Sequence, residues 1–334
     1  MLEFTNLLKL YIPLISWVGL GIVLGRILPK TIPAYLGKFL FWLGVPVGIV
    51  IFLRQADLSA SIWLAPLISW LAVLLGAALA WSWIQGQLIL TSFLEQQLRK
   101  SQVRSPLLQR FASQQLCQKP SQGSFLLSTM VGNTGYLGYP VTLALVGPQY
   151  FGWAIFYDTL GSTLAAYGLG VVLAAYFGMK TPTAQGRVLL NALLKNPALW
   201  SFWLGLGVRS IPLAETTEQV LRGCAWSVIA LSLLLLGMRL SQLQSWQNIQ
   251  PAAVSLGIKM VVVPLAIGYL LSTMGISGAP RLVLVLQAAM PPAFATLVIA
   301  EAYDLDRDLS VATLAMGSIA ILLLLPVWLW LFGS

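Results

Sequence analysis

Histidine is absent from this chain of 334 residues, and only two cysteines are present. Without an imidazole there is no histidine general base, histidine proton relay or histidine metal ligand. Cys117 lies in a polar stretch and Cys224 lies at the opposite end of the predicted topology, so we expect no disulfide between them. These absences exclude many membrane enzymes, and we expect neither a cofactor nor a bound metal.

Charge is scarce as well. Charged residues make up 9% of the chain, whereas a soluble domain has about one quarter. Hydrophobic residues reach 58%, and the mean hydropathy is +0.84. The 29 glycines, 18 prolines and 13 tryptophans are typical of membrane helices, which tolerate Gly and Pro and place Trp at the interfaces. We therefore predict an all-α integral membrane protein.

Apolar windows of about twenty residues, the length that crosses a bilayer as a helix, follow one another along the chain. The ten predicted spans lie near residues 8–28, 35–54, 62–84, 123–147, 149–178, 196–209, 219–238, 251–273, 280–303 and 309–332. The first window is not followed by a small-residue cleavage site, so we expect it to be retained as a span.

Lysine and arginine are divided unevenly between the two sides of this topology, thirteen against five. The richer side has Arg26, Lys30, Lys38, Arg99, Lys100, Arg104, Arg110, Lys119, Lys180, Arg187, Lys195, Arg239 and Arg307, and the other has Lys9, Arg54, Arg209, Arg222 and Arg281. The positive-inside rule makes the richer side cytoplasmic, which places both termini outside the cytoplasm of a plasma (inner) membrane. We expect no nucleic-acid partner, because these cations do not gather on one soluble face.

One long polar segment, residues 85–122, is rich in basic side chains. Its leucines could form an apolar stripe on a helix. We predict a basic amphipathic segment on the cytoplasmic leaflet, and a docking site for a partner is the alternative.

Two short matches indicate an internal repeat. Residues 17–22 (WVGLGI) resemble residues 203–208 (WLGLGV), and residues 53–59 resemble residues 235–241. Five spans per repeat is an odd number, which forces the two halves into opposite orientations. We predict two inverted five-helix repeats. Residues 1–84 form the scaffold of the first repeat with the third span, residues 85–122 the cytoplasmic segment, and residues 123–178 the first crossing helix with the fifth span. Residues 179–250 form the scaffold of the second repeat, and residues 251–334 form the eighth to tenth spans with the second crossing.

The fourth and ninth spans carry helix-breaking residues near mid-depth. Residues 132–140 (GNTGYLGYP) hold three glycines and a proline, and residues 287–293 read QAAMPPA. Both runs sit about 15 to 25 Å into their spans, near the middle of a hydrocarbon core about 30 Å thick. Helix breaks release backbone groups that lipid cannot satisfy, so we expect them to line a cavity or to meet another helix. For the ninth span alone, a simple proline kink is an equal alternative.

Two breaks in corresponding spans of inverted halves indicate a substrate site, and the helix N-termini that point at it favour an anion. The predicted binding residues are Gly132, Asn133, Gly135, Tyr136, Gly138, Pro140, Gln287, Met290, Pro291 and Pro292.

Four segments carry a resemblance to a known family: residues 132–141, Asn196-Pro197, residues 259–264 (KMVVVP) and residues 290–303. They resemble the auxin efflux carrier family, to which the PIN-type plant carriers are related. The resemblance implies a five-plus-five inverted repeat with crossed helices, an elevator-like motion, export of organic anions and a homodimer through the scaffold half. Residues 62–84 lack the carboxylate that PIN-type carriers have in the third span, so this chain looks like a bacterial-type relative and auxin is not indicated.

Two charged residues fall inside predicted spans. Asp158 lies near mid-depth, where an isolated carboxylate costs about 3 kcal/mol or more, and we predict a proton or cation site rather than a structural hydrogen bond. Lys259 lies eight residues from the cytoplasmic end of its span, so we expect it to snorkel to that interface. A charge partner for Asp158, or for a substrate carboxylate, is the alternative, and both residues are candidates for the coupling-ion site.

These patterns predict a secondary active transporter of the efflux type for small organic anions, with the proton as a possible coupling ion. One alternative keeps the fold and changes the ligand: a sodium-linked carrier of the bile-acid type, or a cation/proton antiporter. A further alternative is a membrane sensor that does not transport. An enzyme is not expected, because the chain has no Gly-x-Ser-x-Gly elbow and no pair of acids at mid-membrane.

Overall fold

The computed structural model describes residues 4–101, 116, 118–178, 191, 194–241 and 248–333, and these form helices without a β-strand. The helices are α1 (Phe4–Ile27), α2 (Ile32–Gln55), α3 (Leu64–Ser101), α4 (Lys119–Met130), α5 (Tyr139–Leu145), α6 (Pro148–Phe177), α7 (Pro197–Val208), α8 (Glu215–Ser241), α9 (Ile249–Thr273), α10 (Gly278–Ala288), α11 (Phe294–Tyr303) and α12 (Arg307–Phe332). The all-α prediction is confirmed for this part of the chain.

The helices have the length and surface of membrane spans. Within the described residues, α2, α3, α6, α8, α9 and α12 are long and apolar enough to cross a bilayer, and shorter apolar helices occur at Ile15–Ile27, α7, α10 and α11. Large apolar side chains cover the outside: Trp330, Leu323 and Tyr269 are 78%, 74% and 73% exposed. Such a surface is stable in lipid and not in water, so the chain is a multi-pass integral membrane protein.

The predicted windows and the observed helices can be compared directly. Each window contains helix, and the fourth and ninth windows each contain two helices with a non-helical stretch between them. The fourth and fifth windows separate at Gly147, whose φ of 104° suits only glycine. The total of ten crossings, the inverted repeat and the boundaries of the units stay predictions.

The polar segment 85–122 is described only in part. Residues 85–101 continue α3 without a break, and residues 102–115 and 117 lie outside the described part of the chain, together with Cys117. The predicted amphipathic character of the segment therefore stays a prediction. Cys224, on α8, is an exposed free thiol.

Four helices, α1, α2, α7 and α8, pack in two pairs, which we call the four-helix group. Helix α1 packs on α8, and α2 packs on α7. A Cβ added at Gly237 would lie 2.0 Å from the Val18 carbonyl oxygen, and one added at Gly21 would lie 2.2 Å from the Leu234 carbonyl oxygen. Small residues permit this close backbone approach, which is how membrane helices gain packing energy without a hydrophobic driving force.

The remaining helices form the eight-helix group: α3, α4, α5, α6, α9, α10, α11 and α12. Helix α3 packs on α4 and α6, while α9 packs on α10 and α12, so the interrupted pairs α4–α5 and α10–α11 lie inside the group. The burial of Leu284, Ala288 and Met290, each 0% exposed, reflects this central position.

Five turns among the described residues are wound more widely than an α-helix, with π-helical bonding. They are Leu40–Gly44, Thr134–Gly138, Asp158–Ser162, Ala166–Gly170 and Ile258–Val262. Such single wide turns are frequent at functional sites. Three of these turns lie at polar residues that the sequence placed inside predicted spans: Asn133, Asp158 and Lys259.

Candidate functional site

The two interrupted helices meet through their backbones. The Asn133 amide donates to the Pro291 carbonyl at 2.7 Å, and the Ala293 amide donates to the Val131 carbonyl at 3.0 Å. Gly132 and Pro292 lie between these bonds as an isolated antiparallel bridge. Each break therefore satisfies backbone groups of the other, at a place where water would otherwise be needed.

A cavity of about 480 Å³ opens beside this crossing, between the four-helix group and the eight-helix group. The crossing contributes residues 131–136 and 293–295, and α6 contributes Asp158, Ser162 and Thr163. The four-helix group contributes Lys38, from α2, and Arg239, from α8, and Asn196 lies at the start of α7. The cavity is large enough for a small organic molecule.

Two helix N-termini lie at this cavity. The turn that leads into α5 begins at Thr134, and α11 begins at Phe294, and both residues line the cavity. The first amides of a helix have no acceptor within it and carry the positive end of the helix dipole. The electrostatics of this wall favour a negative group in the cavity.

The predicted binding residues divide into two sets. Gly132, Asn133, Gly135 and Tyr136 line the cavity. The other six are placed outside its lining: Gly138, Pro140, Gln287, Met290, Pro291 and Pro292.

Members of the second set pack against the crossing outside the cavity lining. A Cβ at Gly138 would lie 2.4 Å from Gln287 Oε1, and the buried Gln287 side chain donates from Nε2 to Thr142 Oγ1 at 3.1 Å. Pro291 and Pro292 pack against Gly317 of α12, where a Cβ would lie 2.9 Å and 3.1 Å from their rings. These residues pack beside the crossing and lie outside the cavity lining.

Asp158 accepts hydrogen bonds from hydroxyl groups of the first interruption (residues 131–138, between α4 and α5), of the first residue of α5 and of its own helix α6. The Tyr139 hydroxyl donates to Oδ2 at 2.7 Å, Thr134 Oγ1 donates to Oδ1, and Thr163 Oγ1 donates to Oδ1 at 3.3 Å. The carboxylate is buried yet lines the cavity, and it lies 3.2 Å from the Cβ position of Gly135. The three donors stabilise its ionised form inside the protein. No ion pair of Asp158 occurs among the described residues.

Arg239 lies in the cavity wall, although its sequence position at the end of a span suggested a cytoplasmic loop. Its guanidinium carbon is 4.3 Å from the centroid of the Phe294 ring, and its Nη2 packs against Gly37 of α2. No carboxylate lies within ion-pair distance of it in the described part of the chain. A guanidinium held on an aromatic face and beside helix N-termini is suited to bind a carboxylate in a bidentate manner.

A second chamber of about 390 Å³ shares Ala34, Asn133, Arg239 and Phe294 with the first cavity. Lys30 and Arg307 lie on its wall, and Arg307 forms an exposed ion pair with Glu301 at 2.8 Å. The two chambers thus meet at Asn133 and Arg239, with basic side chains along the route. Three residues that the sequence assigned to one side of the membrane, Lys30, Arg239 and Arg307, are brought together there.

Lys259 does not snorkel, and that expectation was wrong. The side chain is 2% exposed, and its Nζ donates to the Ala288 carbonyl at 3.1 Å. It does not line the cavity, and no carboxylate partner for it occurs among the described residues. The freed carbonyl at the end of α10 offers a nearer partner than the interface does, which is why the ammonium stays inside.

Sequence reasoning missed Arg239, Tyr139, Thr134 and Thr163. Arg239 is located inside the segment that the repeat aligns with residues 53–59, and this alignment was the one signal that could have drawn attention to it. Thr134 and Tyr139 lie in the run of residues 132–140 that the sequence singled out, but the approach of their hydroxyls and that of Thr163 to Asp158 depends on tertiary packing. Among the described residues, no cluster of three His, Cys, Asp or Glu side chains could hold a metal ion.

Comparison with known proteins gives the family context. The model of a family described as membrane transport protein matches residues 180–329. An uncharacterized transporter of Methanothermobacter thermautotrophicus is 34% identical over 203 residues, which are 59% of this chain and 63% of that protein. An uncharacterized transporter of Methanocaldococcus jannaschii is 27% identical over 225 residues, 63% of this chain and 68% of that protein. The chain thus spans about two thirds of the length of these relatives.

Proposed function

We propose that this chain, whose residues 180–329 match the model of the membrane transport protein family and which resembles the auxin efflux carrier family, is a secondary carrier that exports small organic anions. The observation that carries the proposal is the cavity at the crossing, which is lined by two helix N-termini and by Arg239. All of these groups favour negative charge in the cavity.

The anion would bind between the Arg239 guanidinium and the first interruption. Asn133 lies where the two chambers meet and offers both a donor and an acceptor. Gly132 and Gly135 let the backbone approach the substrate, and Tyr136 supplies an aromatic wall. Gly138, Pro140, Gln287, Met290, Pro291 and Pro292 would hold this geometry without touching the substrate.

The position of the cavity supports the proposal of an elevator-like motion. One wall belongs to the four-helix group and the other to the eight-helix group, so a displacement of one group along the other would carry the anion across. The reciprocal packing of α1 on α8 and α2 on α7 supports the ten-span inverted repeat, because the repeat relates α1 to α7 and α2 to α8.

Asp158 would supply the coupling charge. Its carboxylate lines the cavity and accepts hydrogen bonds from three hydroxyls. There it could exchange a proton with a passing substrate or with water. The positive-inside rule puts the chamber with Lys30 and Arg307 on the cytoplasmic side, with both termini outside. The cavity would then open to the cytoplasm.

Counterflow uptake of labelled mono- and dicarboxylates into proteoliposomes tests the proposal. We expect Arg239→Gln to lower transport at least about tenfold, since a charge-assisted hydrogen bond contributes about 1.5–3 kcal/mol. Arg222→Gln is the matched control, because Arg222 is exposed on the same helix and does not line the cavity. Asn133→Ala should also lower transport.

Unchanged transport in both Arg239→Gln and Asn133→Ala would refute the site. Binding of carboxylates without any flux would indicate a sensor instead of a carrier. Equal rates with and without a pH gradient would refute coupling through Asp158 while leaving the carrier intact.

A further inference from the structure

Lys259 is a buried cation that the substrate site does not use. Its ammonium donates to the carbonyl of Ala288, the last residue of α10. On the other side, a Cβ built at Gly132 would lie 3.2 Å from Lys259 Cε and 3.3 Å from Nζ. Gly132 follows the end of α4 at Met130 and itself lines the cavity. The ammonium therefore lies where the C-terminal ends of both half-helices converge.

This surface of the crossing has the opposite polarity to the cavity surface. C-terminal helix ends carry the negative end of the dipole and carbonyls without helical donors. At crossings of broken helices in membrane carriers, such carbonyls are the groups that coordinate an alkali cation. Here the position beside the Ala288 carbonyl is filled by the tip of a lysine side chain.

Nothing else in the described residues neutralises these helix ends. The ion pairs found there are Arg54 with Glu218 and Arg307 with Glu301, and Asp158 is held by hydroxyls. A compact ammonium with three donors is the side-chain group closest to a small hydrated cation in charge and size. Its four-carbon stem fixes it to α9, so it cannot leave.

We propose that the Lys259 ammonium is the resident cation of the crossing, occupying the place of a bound sodium ion, so that the protein needs no alkali cation to fold or to move its substrate. Because only Gly132 separates this charge from the cavity, it also raises the affinity of the cavity for an anion. The second statement rests on the proposed carrier function, whereas the first does not.

Melting temperatures of the purified full chain, measured in sodium chloride and in choline chloride at equal ionic strength, test the first statement. We expect the wild type to melt at the same temperature in both salts. Lys259→Met keeps the volume and removes the charge, and should melt lower by about 5 °C or more in either salt. Lys195→Met is the matched control and should melt as the wild type does, because Lys195 is exposed just before the start of α7.

Chemical rescue separates a charge role from a packing role. Lys259→Ala leaves room for a small cation, so its melting temperature should rise in sodium or ethylammonium chloride relative to choline chloride, while that of Lys259→Met should not. Should Lys259→Ala fail to fold, Lys259→Met and the wild type still decide the question.

Three results would overturn the inference: sodium stabilising the wild type or driving its transport, Lys259→Met melting with the wild type, or a folded Lys259→Ala that no small cation stabilises. In proteoliposomes we expect Lys259→Met to raise the KM for the anion severalfold. The melting experiments need no substrate, so a chain that transports nothing would refute the carrier and leave the resident cation standing. Sodium-driven transport would refute the resident cation and leave the carrier function standing.

Discussion

The two interruptions of the crossing differ in their chemistry although they share one backbone arrangement. The first is polar: Asn133 and Thr134 face the cavity, and Tyr139 follows as a hydroxyl donor to Asp158. The second consists of Met290, Pro291, Pro292 and Ala293, with no polar side chain. Each nevertheless donates one amide to the other, at 2.7 Å and 3.0 Å. Both breaks are needed for the geometry of the crossing, but only the first supplies polar side chains.

This asymmetry assigns different roles to the two breaks. The first interruption and Arg239 would recognise the charge of the substrate, and the second interruption would hold the first in position. Substitutions should then separate into those that change recognition and those that change only stability or rate.

The largest effect is expected from Asp158→Ala. The change leaves the hydroxyls of Thr134, Tyr139 and Thr163 without their acceptor, so the first interruption loses its anchor to α6. We expect transport in proteoliposomes to fall at least about a hundredfold, equivalent to about 2.7 kcal/mol. Asp158→Asn keeps an acceptor oxygen and should fold normally while losing its response to a pH gradient. Wild-type rates in Asp158→Ala would show that the first interruption does not depend on this carboxylate.

Gly317→Ala probes the support of the second interruption. The added Cβ would lie 2.9 Å from the Pro291 ring and 3.1 Å from the Pro292 ring, and neither ring can rotate away. Such overpacking costs about 1–3 kcal/mol, and the melting temperature should fall by several degrees. Gly86→Ala is the control, since nothing lies within 4 Å of its Cβ position, and it should be neutral or stabilising. Equal melting of the two variants would argue against a rigid second break.

Pro292→Ala tests whether the second interruption touches the substrate. Pro292 is buried and lies outside the cavity lining, so we expect the apparent KM to change by less than about threefold while the maximal rate falls. Asn133→Ala should show the opposite pattern, with a raised KM. A Pro292→Ala variant with a strongly raised KM would place the second interruption in the binding site. Initial rates over a range of substrate concentrations distinguish these results.

The smallest effect is expected from Phe294→Leu. Loss of the ring removes the aromatic face beneath the Arg239 guanidinium, a contact of about 0.5–1 kcal/mol, and should reduce transport about two- to fivefold. Phe294→Tyr retains the face and should transport like the wild type. A larger loss in Phe294→Tyr than in Phe294→Leu would contradict a role for this stacking.

The sequence predicted those features that arise from local residue properties. Glycine and proline runs at mid-depth indicated both breaks, hydropathy placed Asp158 inside the bilayer, and the family resemblance is confirmed over residues 180–329. These signals are local because helix propagation fails wherever Pro and Gly remove donors and stiffness, whatever surrounds them.

The contacts that individual side chains make in the folded protein could not be predicted in the same way. Arg239 sits near a span end, and composition cannot tell whether such a side chain turns to water or inward to a cavity. Lys259 was expected to reach the interface, because nothing in the sequence showed that the end of the following helix would place the Ala288 carbonyl within its reach. Gln287 and Gly138 were both predicted to contact substrate, yet they pack against each other, a relation that only the assembled crossing reveals.

The exchange of amide bonds between Val131–Asn133 and Pro291–Ala293 has a consequence for biosynthesis. When the first break enters the membrane, the residues that will pair with it are still untranslated, nearly half a chain length away. Until α10 and α11 are inserted, its unpaired peptide groups need other hydrogen-bond partners, from the translocation machinery, from water or from a chaperone. Truncation before residue 291 should therefore leave a chain without the residues that pair with the first break, and membrane quality control should recognise and degrade it although its helices up to α10 are complete.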